Sequence, residues 1–460
     1  MKKKINLTLI LGLAFLISCD SDSDEKVSET DPRYFSGGET TVFNTSSQAF
    51  GTPSPNLESE RLDKHFDGDL AFEVSFVSAP AEINSGLGPI FNNTSCVNCH
   101  PSDGRGKPPE FSGKTMETMF FKISVPGVDE KTKGAKAVPN FGTQLSNHSI
   151  FGIEPEANSV VDYSEEIFTL PDGEVYKLRT PSYTIENPYL ELPPDVLISP
   201  RVAPPVFGRG LLEAIPEATL LEFADEDDSD GDGISGKANY VWNPETEKTE
   251  LGRFGLKANN PTLRVQNAGA YFDDMGVTNP IFTKENSYGQ SQYDELNDDP
   301  EISEEILDQV TFYVQTLGVP ARRNLDDKKV KRGEQLFTKA KCSSCHIPTM
   351  QTGTLDGVPE VSNQKIYPYT DLLLHDMGEG LADGRTDFLA NGNEWKTPPL
   401  WGIGLTEVVN GHTFFLHDGR ARNLLEAIMW HDGEAKDSKE FFSNLPKDDR
   451  EAIIAFLNSL

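Results

Sequence analysis

Two pentapeptides constrain this chain more than anything else in it: Cys96-Val97-Asn98-Cys99-His100 and Cys342-Ser343-Ser344-Cys345-His346. With 8 histidines in 460 residues, chance puts a His behind both pairs about 3 times in 10,000. Two thiols three positions apart can each form a thioether to one vinyl group of a haem, and the adjacent imidazole then lies under the iron. A redox disulfide or half of a zinc site also uses Cys-x-x-Cys, but neither needs the His. Zinc ribbons also bring their pairs close in sequence, whereas Cys99 and Cys342 stand 243 positions apart. The motifs therefore predict two covalently bound c-type haems, with His100 and His346 as proximal iron ligands.

Composition narrows the setting. Hydrophobic residues make up 37% of the chain and charged residues 25%, enough apolar side chain for real cores in two or three domains. Against 41 Lys and Arg stand 73 Asp and Glu, a net charge of −32 that repels phosphate backbones and excludes nucleic acid as a partner. At the amino terminus, Lys2, Lys3 and Lys4 precede an apolar run over 5–17, too short to span a bilayer as a helix but fit for a signal-peptide core. Leu16-Ile17-Ser18-Cys19 resembles a bacterial lipobox, which implies cleavage after residue 18 and lipidation of Cys19. The alternative is an ordinary secretory signal with an incidental Cys. The lipobox reading implies an exported bacterial lipoprotein, on the periplasmic face of a membrane or at the cell surface, held by its acyl chains alone. Residues 19–59, acidic and rich in Ser, Thr and Gly, read as a disordered tether.

Helical periodicity then predicts the folded part. Leu336 and Phe337 share a stripe before the second motif, and apolar residues repeat at helical spacing over 448–460 and over 302–317. The expected fold is mainly α with irregular and β insertions. It has two cytochrome c-like domains, 60–321 and 322–460, the first enlarged by an insertion over about 120–300. Strand-like stretches at 239–242 and 251–257 flank a polar turn inside that insertion.

Gly86-Leu87-Gly88-Pro89-Ile90-Phe91-Asn92 and Asp103-Gly104-Arg105-Gly106 flank the first motif. Thr397-Pro398-Pro399-Leu400-Trp401-Gly402-Ile403-Gly404-Leu405 and Leu416-His417-Asp418-Gly419-Arg420-Ala421-Arg422 follow the second. With these segments the chain resembles, over about 60–460, the di-haem oxidoreductases, also called thiol oxidoreductases, which are related to di-haem cytochrome c peroxidases. The resemblance implies an electron-accepting second haem, fed by a redox partner protein or small donor, and a first haem that reacts with a small oxidant such as hydrogen peroxide. A non-catalytic electron carrier with both irons six-coordinate is the competing expectation. Thiol oxidation rests on the family label alone, and no spare Cys pair exists for it.

In the peroxidase relatives the second haem's distal ligand follows a His-Asp-Gly motif by fourteen positions. Counted from His417 this is His431, with Met429, Met377 or Met350 as alternatives. The resemblance further implies that His417 orients groups near the haem edge, while Arg420 and Arg422 are candidates to pair with propionates. A Gln and a Glu ten apart line the active haem of those relatives. Gln144 and Glu154 share that spacing, with Glu156 two further on and His148 as a rival sixth ligand. Finally, Asp228, Asp230 and Asp232 alternate before Gly233 like the front of a calcium loop, although Asn239 stands where an EF-hand carries Glu.

Overall fold

The computed structural model describes residues 31–115, 118–296 and 298–460. The predicted signal peptide, Cys19 and residues 19–30 of the predicted tether lie outside them.

Two helix pairs, one per Cys-x-x-Cys-His motif, frame the structure. Ser59–Glu73 packs on Glu304–Thr316, and Lys328–Lys339 packs on Lys447–Ser459. Their starts are written locally. Ser303 accepts a hydrogen bond from the Ile306 N–H, and Asp327 accepts from the N–H groups of Lys329 and Val330. Their crossings are set by glycine. A Cβ at Gly68 would stand 2.2 Å from the Gln309 carbonyl oxygen, and one at Gly333 1.9 Å from that of Ala452. Any larger residue there must push the helices apart, an overpacking cost of about 1–3 kcal/mol.

Sheets occupy much of the insertion. Met119–Val128 pairs antiparallel with Leu197–Val202, burying Met119, Phe121 and Ile123 on one face. Asn158–Thr169 and Val175–Glu186 form a long hairpin in continuous register from Asn158↔Glu186 to Thr169↔Val175. Its turn carries Leu170 into the core cluster that holds Phe337 and Phe456, and Tyr183 donates to Asp418 Oδ2 at 2.6 Å. Tyr240–Asn243 and Lys248–Leu251 make a smaller hairpin, its second strand three residues earlier than its sequence suggested.

The fold expectation therefore needs correcting. Helix accounts for 28% of the structure and strand for 20%, so the protein is not mainly α. Nor do two cytochrome c-like domains emerge, because Arg33–Leu460 is one unit whose core crosses the expected boundary at 321. Phe50, Phe72 and Leu307 share one apolar cluster with Met350, Ile366 and Trp401. The tether expectation also ends early. Thr41 and Val42 pair in parallel with Val319 and Pro320, and Phe50, 1% exposed, stacks on Phe207 at 4.3 Å. The acidic, Ser-rich composition concealed these anchors. No helix among the described residues is long and apolar enough to cross a membrane.

Candidate active site

The two motifs hold their histidines alike, although only the first has a side-chain cap. Ser95 caps the short helix Cys96–Cys99, and the His100 N–H donates to the Cys96 carbonyl at 2.9 Å. The His100 ring lies 6.3 Å from Phe72 of the preceding helix, and its Nδ1 pairs with the Pro204 carbonyl at 2.7 Å. In the second motif the His346 N–H donates to Cys342 O at 3.0 Å, Phe337 lies 6.2 Å away, and Nδ1 pairs with Tyr369 O at 3.0 Å. Burial pushes both imidazoles down to about 4, so they are neutral at pH 7. With Nδ1–H donating to a carbonyl, Nε2 keeps its lone pair for a metal.

Both motifs open onto one cavity of about 490 Å³. His431, just past the helix Leu424–Trp430, lines it too, with Nδ1 tied to Ala427 O at 2.7 Å in the same arrangement. It is near enough to His346 to help hold that ring neutral. Among the rival ligands, Met377 lines the cavity. Met429 is buried with its sulfur on Ser443, and Met350 is buried in the apolar core. Among the described residues no metal-competent group brings the two cysteine pairs together, so a shared zinc site has no support.

The family described as "di-haem oxidoreductase, putative peroxidase" matches residues 32–460. The chain belongs to that family. No curated protein matches it. A di-haem family implies two haems, and the donor set fits them: paired thiols beside neutral, carbonyl-tethered imidazoles, twice, around one cavity.

The structure parts the residues expected on the reactive side of this di-haem oxidoreductase. Gln144 lines the cavity. Its Nε2 donates to Asn92 Oδ1 and Asp274 Oδ1, both at 2.7 Å, while its buried Oε1 has no partner among the described residues. Glu154 is exposed. Glu156 is buried away from the cavity wall, where its carboxylate accepts from the Ser146 N–H at 2.6 Å and burial raises it to about 8. His148 stacks on Phe91 at 5.8 Å and does not line the cavity. A short strand and a bend separate Gln144 from both Glu residues, so shared spacing did not become a shared wall.

The carboxyl group beside Gln144 is instead Asp274, which sequence reasoning missed. Burial raises it to about 6, against the pull of Lys122 and the Gln144 bond. Asp273 next to it pairs with Lys122 at 2.5 Å. One signal was available: both aspartates stand in the last turn of Leu263–Met275, where the helix dipole disfavours negative charge.

His417 lines the cavity and stacks on Trp395, 3.8 Å between centroids and 12° apart, with buried Asp418 3.5 Å from its Nε2. Arg420 does not line the cavity. Asp418, two residues earlier, holds its guanidinium at 2.8 Å, and Arg422 is held by Glu426 and Glu165. In the acidic loop the oxygens that converge belong to Asp225, Asp228 and Asp230, not Asp232. Asp225 accepts from the N–H groups of Ser229 and Asp230, which folds the turn back onto it, while Asp232 accepts from Ile234 N–H.

Proposed function

We propose that this chain is an exported, lipid-anchored di-haem oxidoreductase that reduces a small oxidant such as hydrogen peroxide with electrons from a redox partner. One observation carries the reading: two Cys-x-x-Cys-His motifs meet at a single cavity, each with its imidazole tethered through Nδ1. Cys96 and Cys99 would hold the first haem through thioethers, with His100 below it. Cys342 and Cys345 would hold the second, with His346 and His431 as its ligands. When bound, the haems supply electron storage and an iron position at which peroxide can be reduced.

The chain's own residues relay protons, and the two consumed per turnover come from solvent. Reduction of hydrogen peroxide to two waters consumes two electrons, which the partner provides, and two protons. The Asp274 carboxyl, held to about 6, can take a proton from one peroxide oxygen and return it to the other near neutral pH. The Gln144 Oε1, without a partner, can accept a hydrogen bond from the substrate and orient it. Ligation by both His346 and His431 would leave no position for substrate at the second iron, which would suit an electron-accepting role. A net charge of −32 favours a donor with a basic docking face.

Two smaller elements complete the reading. The lipid anchor rests on Leu16-Ile17-Ser18-Cys19, and loss of labelled fatty acid in Cys19→Ala tests it. Calcium rests on the convergence of Asp225, Asp228 and Asp230, and elemental analysis tests it. For the main claim, peptide mass mapping should find haem on both cysteine pairs. Unmodified thiols at either pair would overturn it.

A further inference from the structure

Seven cationic side chains line the cavity, and they fall into two groups. Lys122, Arg201, Lys341 and Lys439 each have a carboxylate within 4 Å. Arg105, Arg209 and Lys396 have none among the described residues. Arg105 donates to the Leu416 carbonyl and feels Asp418 from beyond ion-pair distance, while its buried Nε has no partner among the described residues. Arg209 donates Nε to the Pro205 carbonyl at 3.1 Å, and Lys396, 7% exposed, donates to the Arg253 carbonyl at 3.0 Å. Neutral carbonyls do not balance the charges of half-buried Arg105 and Arg209, and burial beside Arg209 holds the buried Lys396 amine well below its ordinary range. Arg209 and Lys396 are near enough to repel each other, and Arg209 also acts on His100. A cavity built this way calls for anions between the two motifs.

We infer that Arg105, Arg209 and Lys396 form a carboxylate clamp for haem propionates, with the Arg209–Lys396 pair serving the first haem. The inference rests on the di-haem reading and deepens it. Two haems bring four carboxylates into the cavity. Guanidinium is suited to grip such groups through paired N–H donors, and burial strengthens each contact. The clamp replaces the expected role of Arg420 and Arg422, whose charges are already spent on Asp418, Glu426 and Glu165. A cation on a propionate also stabilises the reduced iron, so these residues set the potential of the first haem.

The test uses full-length protein carrying its haems, with Arg209→Met and Lys396→Met against the charge-keeping Arg209→Lys and Lys396→Arg. Haem content is measured by pyridine haemochrome, and potentials by spectroelectrochemical titration. Each Met variant should lower the first haem's potential by about 60 mV or more, a tenfold shift in its oxidised-to-reduced ratio. The charge-keeping variants should stay near wild type. Loss of haem in the Met variants alone also supports the clamp, because charge then governs retention. Unchanged potentials, or equal haem loss in both sets of variants, would overturn it. Acetate titration of the wild type distinguishes a free carboxylate as the occupant. A saturable spectral change that Arg209→Met abolishes would assign the cations to an anionic substrate and overturn the propionate assignment. Failure of the wild type to carry two haems would sink the underlying reading instead.

Discussion

The two motif neighbourhoods are alike around His100 and His346 and differ elsewhere on the cavity wall. Each has a helix crossing at a glycine, an aromatic ring about 6 Å from the proximal imidazole, and Nδ1 on a backbone carbonyl. The second motif has a further neutral imidazole close by, His431, tethered like a ligand. Around the first stand Gln144, Asp274 and the Lys122–Asp273 pair, groups that move or orient protons rather than bind iron strongly. One scaffold used twice is thus finished differently at its two motifs, and the proposed division of roles rests on that difference in the residues that complete the wall.

The largest effect that can break this comparison is at His431. His431→Ala should convert the second haem wholly from low to high spin in its optical and magnetic spectra. An unchanged low-spin second haem would place the ligand elsewhere, with Met377 the next candidate on the cavity wall. Next comes the opposite wall. Asp274→Asn should slow peroxide turnover by about 10²-fold, the usual worth of a positioned acid–base group. It should also flatten the pH profile, which in the wild type rises as the carboxyl loses its proton through about pH 6. Glu154→Gln, at an exposed site, should leave turnover unchanged, and a slow Glu154→Gln with a normal Asp274→Asn would reverse the assignment.

A third prediction separates folding from function. Glu156 is raised to about 8 by burial, so the folded state holds its proton where the unfolded chain, near 4.5, has released it. Stability should therefore fall as pH rises from about 4.5 to 8. Glu156→Gln should remove that loss, gaining on the order of 2–4 kcal/mol at pH 8 and little at pH 4 in denaturant titrations. The smallest effect is at the acidic loop. Chelation should release one calcium and lower the melting temperature by a few degrees, about 1 kcal/mol or more at this chain length. No metal by elemental analysis would leave Asp225, Asp228 and Asp230 as backbone-capping carboxylates.

Legibility in the sequence followed locality. The two motifs, the helix before the second, and the helices at Glu304–Thr316 and Lys447–Ser459 are set by spacing within a turn or two, and they read directly. His431 was named from the fourteen-position offset that the family resemblance implies after His417, and the structure places both residues on the cavity wall. The sheets were hidden because their partners are distant: Met119–Val128 finds Leu197–Val202 across a whole hairpin. Asp274 was hidden for the same reason, since only folding brings it to Gln144, 130 positions away. Arg420 misled because its sequence position says nothing of Asp418 claiming it first.

The claim that the two sites differ is tested most directly by electron paramagnetic resonance of the fully oxidised wild-type protein. One low-spin ferric signal from the second haem, ligated by His346 and His431, and one high-spin signal from the first are expected. Two low-spin signals would contradict that claim and make the protein an electron carrier with both irons closed.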